Sequence, residues 1–320
     1  MFTQLDVYWM VYFLLSALIS TFMVKRVTQR SDFVKTGLWM GLYQAGILIM
    51  LAIVIGKREV DWVLILPALG LLSGVLGAML SSAIQPLIET AFSITTSMRL
   101  LELSNLNHPL LKKIMTEAPG TYHHSLMVAN LSEAGCDAIG TDGLVGRVCA
   151  YYHDLGKTQR PTFFVENQID GVNPHENIAP ALSALIITSH TTDGVELGKK
   201  HKLPQIILDG MLQHHGTGLV SFFYYKILSQ ASSDWENDEE VKNMFRYKGP
   251  KPQSREMGVL MLADSAEAAV RSMEKPSPNK IEVLVQKIID ARIADGQLDE
   301  SALSLQDLKR CKEAFLTVYA

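Results

Sequence analysis

Three long apolar stretches dominate the N-terminal part of the chain. Val7 to Val24, Thr36 to Gly56 and Trp62 to Ile88 contain no Asp, Glu, Lys or Arg. An apolar helix of about 20 residues is long enough to cross the hydrocarbon core of a bilayer. The pattern therefore predicts a multi-pass protein whose residues 1–89 form a transmembrane domain of three helices.

Buried helices and a signal peptide are the alternatives to membrane helices. Three buried helices of a soluble protein would need a large surrounding shell, which this part of the chain does not supply. A cleavable signal peptide would need a basic start and a small-residue cleavage site, and Met1 to Asp6 contains no basic residue. Membrane helices are the preferred interpretation.

The third apolar stretch contains small residues at close spacing, namely Gly70, Gly74, Gly77 and Ser81. Small residues allow two helices to approach closely in lipid. We favour helix packing over a substrate pathway because no charged residue lies within the spans.

Beyond Pro86 the apolar residues follow a heptad spacing for about two heptads. They are Leu87, Ala91, Ile94, Met98 and Leu101. We expect a connecting helix over residues 90–106, which leads from the membrane to the following domain. A homodimer contact through this helix is a hypothesis.

The basic residues of the short loops predict the orientation. Lys25, Arg26, Arg30 and Lys35 follow the first stretch, whereas the second is followed only by Lys57 and Arg58. The positive-inside rule places the first loop in the cytoplasm. Everything after residue 89 is then expected to be cytoplasmic.

Residues 107–320 have the composition and periodicity of a helical globular domain. Apolar positions recur at helix spacing in several segments, and alternation typical of strands is scarce. The segments are Ser125 to Ile139, Leu144 to His153, Pro180 to His190, Gln205 to His214, Val259 to Met273 and Ile281 to Ile293. A capping box at Ser304 to Asp307 predicts a final helix. The sequence thus predicts an all-α fold.

Two polar excursions interrupt these helices. Arg160 to Pro180 is rich in Asn, Pro and Gly, and Ser232 to Glu256 contains the acidic run Asp234 to Glu240. Long loops in a compact domain are often binding loops. For the acidic run, a solvated insertion is an equally good interpretation.

Charge and cysteine content exclude some classes of protein. A net charge of −4 gives no support for a DNA or RNA duplex as partner. Cys136, Cys149 and Cys311 are odd in number and contain no Cys-x-x-Cys pair, which favours small core residues in a reducing compartment.

Five histidines and two aspartates in the C-terminal part have the spacing of a two-metal site. They are His124, His153, Asp154, His190, His214, His215 and Asp264. Imidazole and carboxylate ligands together suit Mn, Fe or Zn. An isolated His-Asp pair is weak evidence for a metal site, but the combination of all seven residues is much more specific.

These residue types allow a concrete hypothesis about the site. Asp154 has two oxygens and is the natural bridge between two cations. We assign His124, His153 and Asp264 to one cation, and His190, His214 and His215 to the other, with a hydroxide between the cations that attacks phosphorus. Lys157 follows one turn after His153 and is expected to hold a phosphate oxygen. Asp154 and Lys157 are therefore the predicted catalytic residues.

Two further histidines remain ambiguous. His123, beside His124, and His175 could each contact the metal ligands or the substrate. His108 and His201 are expected to be exposed residues without a role in the site.

At these residues the sequence resembles the HD-domain phosphohydrolases. Within them it is similar to the membrane-bound seven-transmembrane-receptor HD hydrolases, the PgpH-type cyclic di-AMP phosphodiesterases. The matching stretches are Glu117 to Ser125, Tyr152 to Lys157, Leu185 to His190, Gln213 to Thr217, Tyr247 to Pro252 and Met261 to Ser265. The resemblance covers residues 100 to 320 and extends over six separate motifs.

The resemblance implies a helical HD fold, two Fe or Mn ions at the seven positions, and hydrolysis of cyclic di-AMP to pApA at a bacterial plasma membrane. It favours His124 over His123 as the ligand. Lys157, His175 and Thr217 are the expected substrate contacts.

Some features differ from that family. Its members are expected to have an outer domain and seven spans, so this chain is either a short form or a fragment. The cyclic di-GMP branch has Gly-Tyr-Pro after its histidine pair, whereas this chain reads Gly216-Thr217-Gly218. Hydrolysis of cyclic di-GMP or another nucleotide, and nucleotide binding without turnover, remain as alternatives.

Overall fold

The computed structural model describes residues 4–24, 30–56, 60–92, 94–168, 172–229 and 238–320. The described residues form α-helices and short 3₁₀ helices, and none of them lies in a β-strand. The predicted all-α fold is confirmed. The chain divides into two compact units, Met1–Arg99 and Leu100–Ala320. We call them the membrane unit and the C-terminal unit.

The membrane unit consists of three long apolar helices, as predicted. They are α1, Gln4–Val24, α2, Arg30–Ile55, and α3, Val60–Phe92. Each is long and apolar enough to cross a bilayer. Large apolar side chains such as Trp39 and Leu87 are well exposed on these helices, as a lipid environment allows. The loop residues Lys25, Arg26, Lys57 and Arg58 lie outside the described residues.

Helices α2 and α3 contact each other through small residues. A Cβ atom built on Gly74 would overlap the backbone of Gly41, and one built on Gly70 would lie 2.5 Å from the backbone N of Ala45. Only glycine allows the two backbones to approach this closely. In lipid such close van der Waals packing drives helix association. Gly70 and Gly74 therefore pack the helices, whereas Gly77 faces open space.

The stretch 90–106 differs from the single helix that we expected. Helix α3 ends at Phe92, residues 94–96 are not helical, and a new helix, α4, spans Ser97–Leu103. Thr96 provides a physical reason, because its Oγ1 accepts a hydrogen bond from the Arg99 N–H at 3.3 Å. A threonine before a helix satisfies one of the free N–H groups and favours a helix start. The dimer contact in this region stays a prediction.

The C-terminal unit contains ten further helices among its described residues. Helices α6, α7, α9, α12 and α14 enclose most of its apolar core, which includes Val128, Val148, Leu260 and Phe315. Four 3₁₀ helices lie between α7 and α8, at Leu155–Gln159, Pro161–Phe163, Val165–Asn167 and Pro174–Asn177. The ten helices are α5 Pro109–Glu117, α6 Pro119–Ala138, α7 Gly143–Tyr152, α8 Pro180–Lys200, α9 Gln205–Gln213, α10 Ser221–Leu228, α11 Glu239–Met244, α12 Arg255–Arg271, α13 Pro278–Ala294 and α14 Leu305–Tyr319.

Two helix boundaries differ most from the sequence prediction. Helix α6 begins at Pro119, a residue suited to the first helical position, so His124 lies in its second turn and not at its start. Helix α8 continues past His190 to Lys200. Its Gly194 allows contact with Gly156 of the first 3₁₀ helix. The capping box predicted at the start of α14 is present.

Candidate metal centre

Five helices bring the seven predicted ligands to one place. His124, His190 and Asp264 project from within α6, α8 and α12, while His153 and His214 are the C-caps of α7 and α9. Asp154 and His215 directly follow these two caps. The cluster is buried except at His215, whose side chain is 20% exposed. It therefore opens to solvent on the His215 side.

The Asp154 carboxylate lies between two groups of imidazoles. Its Oδ2 is 3.1 Å from His153 Nε2 and 3.6 Å from His124 Nε2. Its Oδ1 is 3.2 Å from His190 Nε2 and 3.7 Å from His214 Nε2. Each oxygen thus faces a different pair of histidines, which is the arrangement that a bridging carboxylate requires.

The donor atoms form groups that are compact enough to hold metal ions. Within each group, all ligand atoms lie within 4.8 Å of one another. Ligands at about 2.0–2.2 Å from one ion are separated by roughly 3–4 Å. The three groups are His124, His153 and Asp264; His190, His214 and His215; and His153, Asp154 and His214.

Unpaired buried atoms also indicate a cation. One oxygen of Asp154, Oδ1, and the Nε2 of His153 are buried without a hydrogen-bond partner. Buried polar atoms nearly always have such a partner. A positive ion bound at each atom would satisfy both, so the residues fit metal binding.

The outer ring nitrogens of the histidines hold the inner ones in place. The Nδ1 atoms of His153 and His190 lie 2.7 and 2.5 Å from the carbonyl oxygens of Ala150 and Ile187, and His214 Nδ1 lies 2.9 Å from that of Met211. A carbonyl only accepts, so each Nδ1 carries the proton and donates it. The Nε2 atoms therefore face the cluster, as in metal-binding histidines.

His124 is held by a carboxylate that sequence reasoning missed. Its Nδ1 hydrogen-bonds the buried side chain of Glu267, and its Nε2 lies 3.0 Å from Asp264 Oδ1. A carboxylate behind a metal-binding histidine orients the ring and raises its basicity. Glu267 follows Asp264 by three residues on α12, and this spacing on one helix face was a usable signal.

Lys157 lies against the bridging carboxylate. Its Nζ is 2.7 Å from Asp154 Oδ2 and donates a hydrogen bond of 2.7 Å to Glu166 Oε1. Glu166 also accepts a hydrogen bond from Thr121 Oγ1 at 3.2 Å. It comes from the third 3₁₀ helix, and no pattern in the sequence links it to Lys157.

Burial and facing charges shift the pKa values of the cluster in opposite directions. Burial would lower the pKa of His153, but the Asp154 charge raises it to about 10. Burial lowers the pKa of His214 to about 4 and that of His215 well below its usual range. Burial disfavours charged Asp154, but His153 and Lys157 hold the pKa of that carboxyl well below its usual range. The Asp154 carboxylate and the His214 and His215 imidazoles are therefore in the forms that bind metals, whereas a metal must displace a proton from His153.

The other predicted contacts lie outside the cluster. His123 is exposed, while His175 packs between Phe163 and Phe223. Thr217 binds Gln297 through its backbone N–H at 2.9 Å. The substrate contacts predicted for His175 and Thr217 stay predictions.

An aromatic residue stacks on His215, the partly exposed member of the cluster. The Tyr247 ring lies over the His215 ring with centroids 4.3 Å apart and an interplanar angle of 34°. Burial raises the pKa of Tyr247, while the charges of Lys157 and Arg292 act to lower it. Tyr247 belongs to a matched motif, but the sequence did not indicate this contact.

Two protein families match the chain. The family described as 7TM receptor with intracellular HD hydrolase matches residues 1–96, and the HD domain family matches residues 121–269. The second range contains all seven clustered residues. The chain belongs to the seven-transmembrane-receptor HD hydrolases.

Similar proteins agree with this membership. The chain is 46% identical over 302 residues to the cyclic-di-AMP phosphodiesterase PgpH of Bacillus subtilis and 43% identical over 309 residues to that of Listeria monocytogenes. These alignments cover 93% and 96% of this chain but 41% and 42% of the relatives. The chain thus spans less than half of their length. An uncharacterized protein of Synechocystis is 35% identical over 95% of this chain and 38% of its own length.

Solved structures match the C-terminal unit of this chain. The crystal structure of the L. monocytogenes PgpH HD domain has a TM-score of 0.62 at 46% identity, and the same domain in complex with cyclic di-AMP has 0.63 at 47%. Each comparison covers 67% of this chain and 98% of the solved one. HD domains are metal-dependent hydrolases, and the clustered histidines and aspartates of this chain can hold metal.

Proposed function

We propose that this membrane protein is a two-metal phosphodiesterase that hydrolyses cyclic di-AMP to pApA. The position of Asp154 is the observation that carries the proposal. Its two oxygens face two separate pairs of histidines, and a bridging carboxylate is the common element of two-metal hydrolases.

The relatives support the choice of substrate. Two relatives above 40% identity are named cyclic-di-AMP phosphodiesterases, and an HD domain of 47% identity was solved in complex with cyclic di-AMP. The six motifs that carry the resemblance lie in the same domain as the cluster.

We assign His124, His153 and Asp264 to one ion and His190, His214 and His215 to the other, with Asp154 shared. The donor set of imidazoles and carboxylates suits Mn or Fe. When bound, the two ions supply an activated water and positive charge for in-line attack on phosphorus.

Lys157 acts at the reacting phosphodiester. Two of its three ammonium protons serve Asp154 and Glu166, which leaves one donor for a non-bridging phosphate oxygen. Its side chain is 12% exposed, so a ligand at the cluster can reach it. The same ion pair keeps Asp154 charged and turned toward the histidines.

The C-terminal unit is assigned to the cytoplasmic side. Arg30 and Lys35 stand at the start of α2 and follow Lys25 and Arg26, whereas only Lys57 and Arg58 stand between the second and third apolar stretches. Such an excess of Lys and Arg marks a cytoplasmic loop.

The decisive experiment is product analysis with the full chain in detergent and Mn²⁺. We expect cyclic di-AMP to be converted to pApA, with slower hydrolysis of cyclic di-GMP. Asp154→Ala should abolish turnover and reduce the bound metal while the protein stays helical by circular dichroism.

His201→Ala is the matched control, because His201 is an exposed histidine of the same unit. This variant should keep its metal and its activity. A wild-type protein that binds two ions but leaves every cyclic dinucleotide intact would refute the proposal in favour of a nucleotide-binding receptor.

A further inference from the structure

Arg292 is a cation at the open side of the metal cluster. Its Nη2 donates a hydrogen bond of 3.0 Å to the hydroxyl of Ser265, the residue after Asp264. Its Nη1 lies 3.4 Å from the position that a Cβ would take on Gly218. Arg292 also lies close enough to Tyr247, the residue stacked on His215, for its charge to act on the Tyr247 hydroxyl, so Arg292 lies near the exposed edge of the cluster.

The charge of Arg292 is not balanced by a neighbouring acid. The C-terminal unit has four half-buried arginines among its described residues. Arg147, Arg246 and Arg255 each form an ion pair, with Glu133, Asp295 and Asp307. Over the described parts of the chain, Arg292 has no carboxylate oxygen within 4.0 Å, and its polar partner is a neutral hydroxyl.

This difference indicates a ligand with a negative charge. Holding a guanidinium partly out of water without a counter-charge is unfavourable. An arginine fork matches two oxygens of a phosphate group. Lys157 is the other cation whose charge lowers the pKa of Tyr247, and its own charge is already balanced by the carboxylates of Asp154 and Glu166.

The substrate in the proposed function has two phosphodiesters, and the metal cluster can hold only the one that reacts. We propose that Arg292 binds the other phosphodiester, the one that is not hydrolysed. The inference rests on the proposed function. Arg292 then selects ligands with a second phosphate, and Ser265 holds its guanidinium beside the cluster.

Equilibrium binding to the Mn²⁺-loaded full chain tests this role. The probes are the hydrolysis-resistant phosphorothioate analogue of cyclic di-AMP, with two phosphate groups, and AMP, with one. Arg292→Gln should weaken binding of the cyclic analogue about 10- to 100-fold and binding of AMP less than about threefold. Arg292→Lys, which keeps the charge but not the fork, should fall between wild type and Arg292→Gln.

Kinetics give a second readout. For cyclic di-AMP, Arg292→Gln should raise KM by a similar factor and leave kcat nearly unchanged, because the reacting phosphate stays on the cluster. Arg310→Gln, at an exposed arginine of α14, is the control and should behave as wild type. Metal content and unfolding midpoint show whether each variant is folded.

The outcomes separate the two proposals. Wild-type affinity of Arg292→Gln for the cyclic analogue, or an equal loss for both probes, would overturn the role of Arg292. A wild-type chain that binds the analogue but does not hydrolyse cyclic di-AMP overturns the catalytic proposal, while the probe comparison still decides Arg292. A wild-type chain that does not bind the analogue overturns both.

Discussion

The two units of this chain use opposite kinds of buried contact. In the membrane unit, α2 and α3 meet backbone to backbone at Gly41 and Gly74, while large apolar side chains point outward. In the C-terminal unit, large apolar side chains fill the core and a polar cluster lies within it. Lipid offers no hydrophobic gain for burying an apolar side chain, so close fit must hold the helices. In water, burial of apolar side chains holds the helices of the C-terminal unit together. A core held in this way can enclose a polar site.

Close backbone approach also occurs in the C-terminal unit, but it serves the site. A Cβ on Gly156 would overlap the carbonyl oxygen of His190 and lie 2.5 Å from the N of Gly194. This contact fixes α8 against the 3₁₀ helix that follows Asp154. Close backbone contact at glycine thus packs two helices in the membrane unit, and in the C-terminal unit it positions a predicted metal ligand.

Gly156→Ala should have the largest effect. The added methyl group must push α8 away from Asp154, so we expect a loss of about 3 kcal/mol or more in the free energy of unfolding of the C-terminal unit. Metal bound per chain should fall, as measured by inductively coupled plasma mass spectrometry. A variant with wild-type stability and metal content would show that the contact is not needed.

Gly74→Ala should have a smaller effect, confined to the membrane unit. The added Cβ would overlap the backbone of Gly41, and overpacking of this kind typically costs about 1–3 kcal/mol. We expect earlier unfolding of the membrane unit in denaturing detergent, with metal content unchanged. Gly77→Ala is the matched control, because a Cβ at Gly77 meets no atom within 4 Å. Equal stability of the two variants would contradict the role of the glycine contact.

Lowering the pH should have the smallest effect and should also separate the units. The Asp154 charge raises the pKa of His153 to about 10, whereas burial lowers that of His214 to about 4. A metal must therefore displace a proton from His153 at neutral pH but not from His214. Affinity at the His153 group should therefore fall as the pH is lowered.

The measurement is the metal-dependent rise in Tm of the C-terminal unit between pH 8 and pH 6. We expect the metal-dependent rise in Tm to be smaller at pH 6 than at pH 8, because the ion at the His153 group binds more weakly. The unfolding of the membrane unit should not change with pH. Metal uptake independent of pH at both groups would disagree with the protonation of His153.

Residue chemistry made the main features of the fold and of the site predictable. Uncharged stretches identified the three apolar helices, and helix periodicity identified the all-α unit. The seven cluster residues could be chosen because few side chains bind such metals and their motifs occur together. Their assignment to particular ions stays a prediction that the distances support.

Contacts between segments that are far apart in the chain could not be predicted from the sequence. Glu166 reaches Lys157 from a loop without periodicity, and Arg292 reaches Ser265 from another helix. The start of α6 was misplaced because Pro119 begins the helix, which apolar spacing does not encode. The end of α8 was misplaced because the helix continues through Gly194, whose contact with Gly156 is tertiary. Only Glu267, on the same helix face as Asp264, had a signal that could have been used.

The position of Asp154 has a consequence for how the protein responds to metal supply. In the proposed two-ion centre one side chain serves both halves, so the first ion to arrive would orient the carboxylate that the second ion needs. Uptake would then be cooperative, with a positive coupling free energy between the two ions. A modest fall in available metal would empty both positions together, and the protein would switch off over a narrow range of concentration.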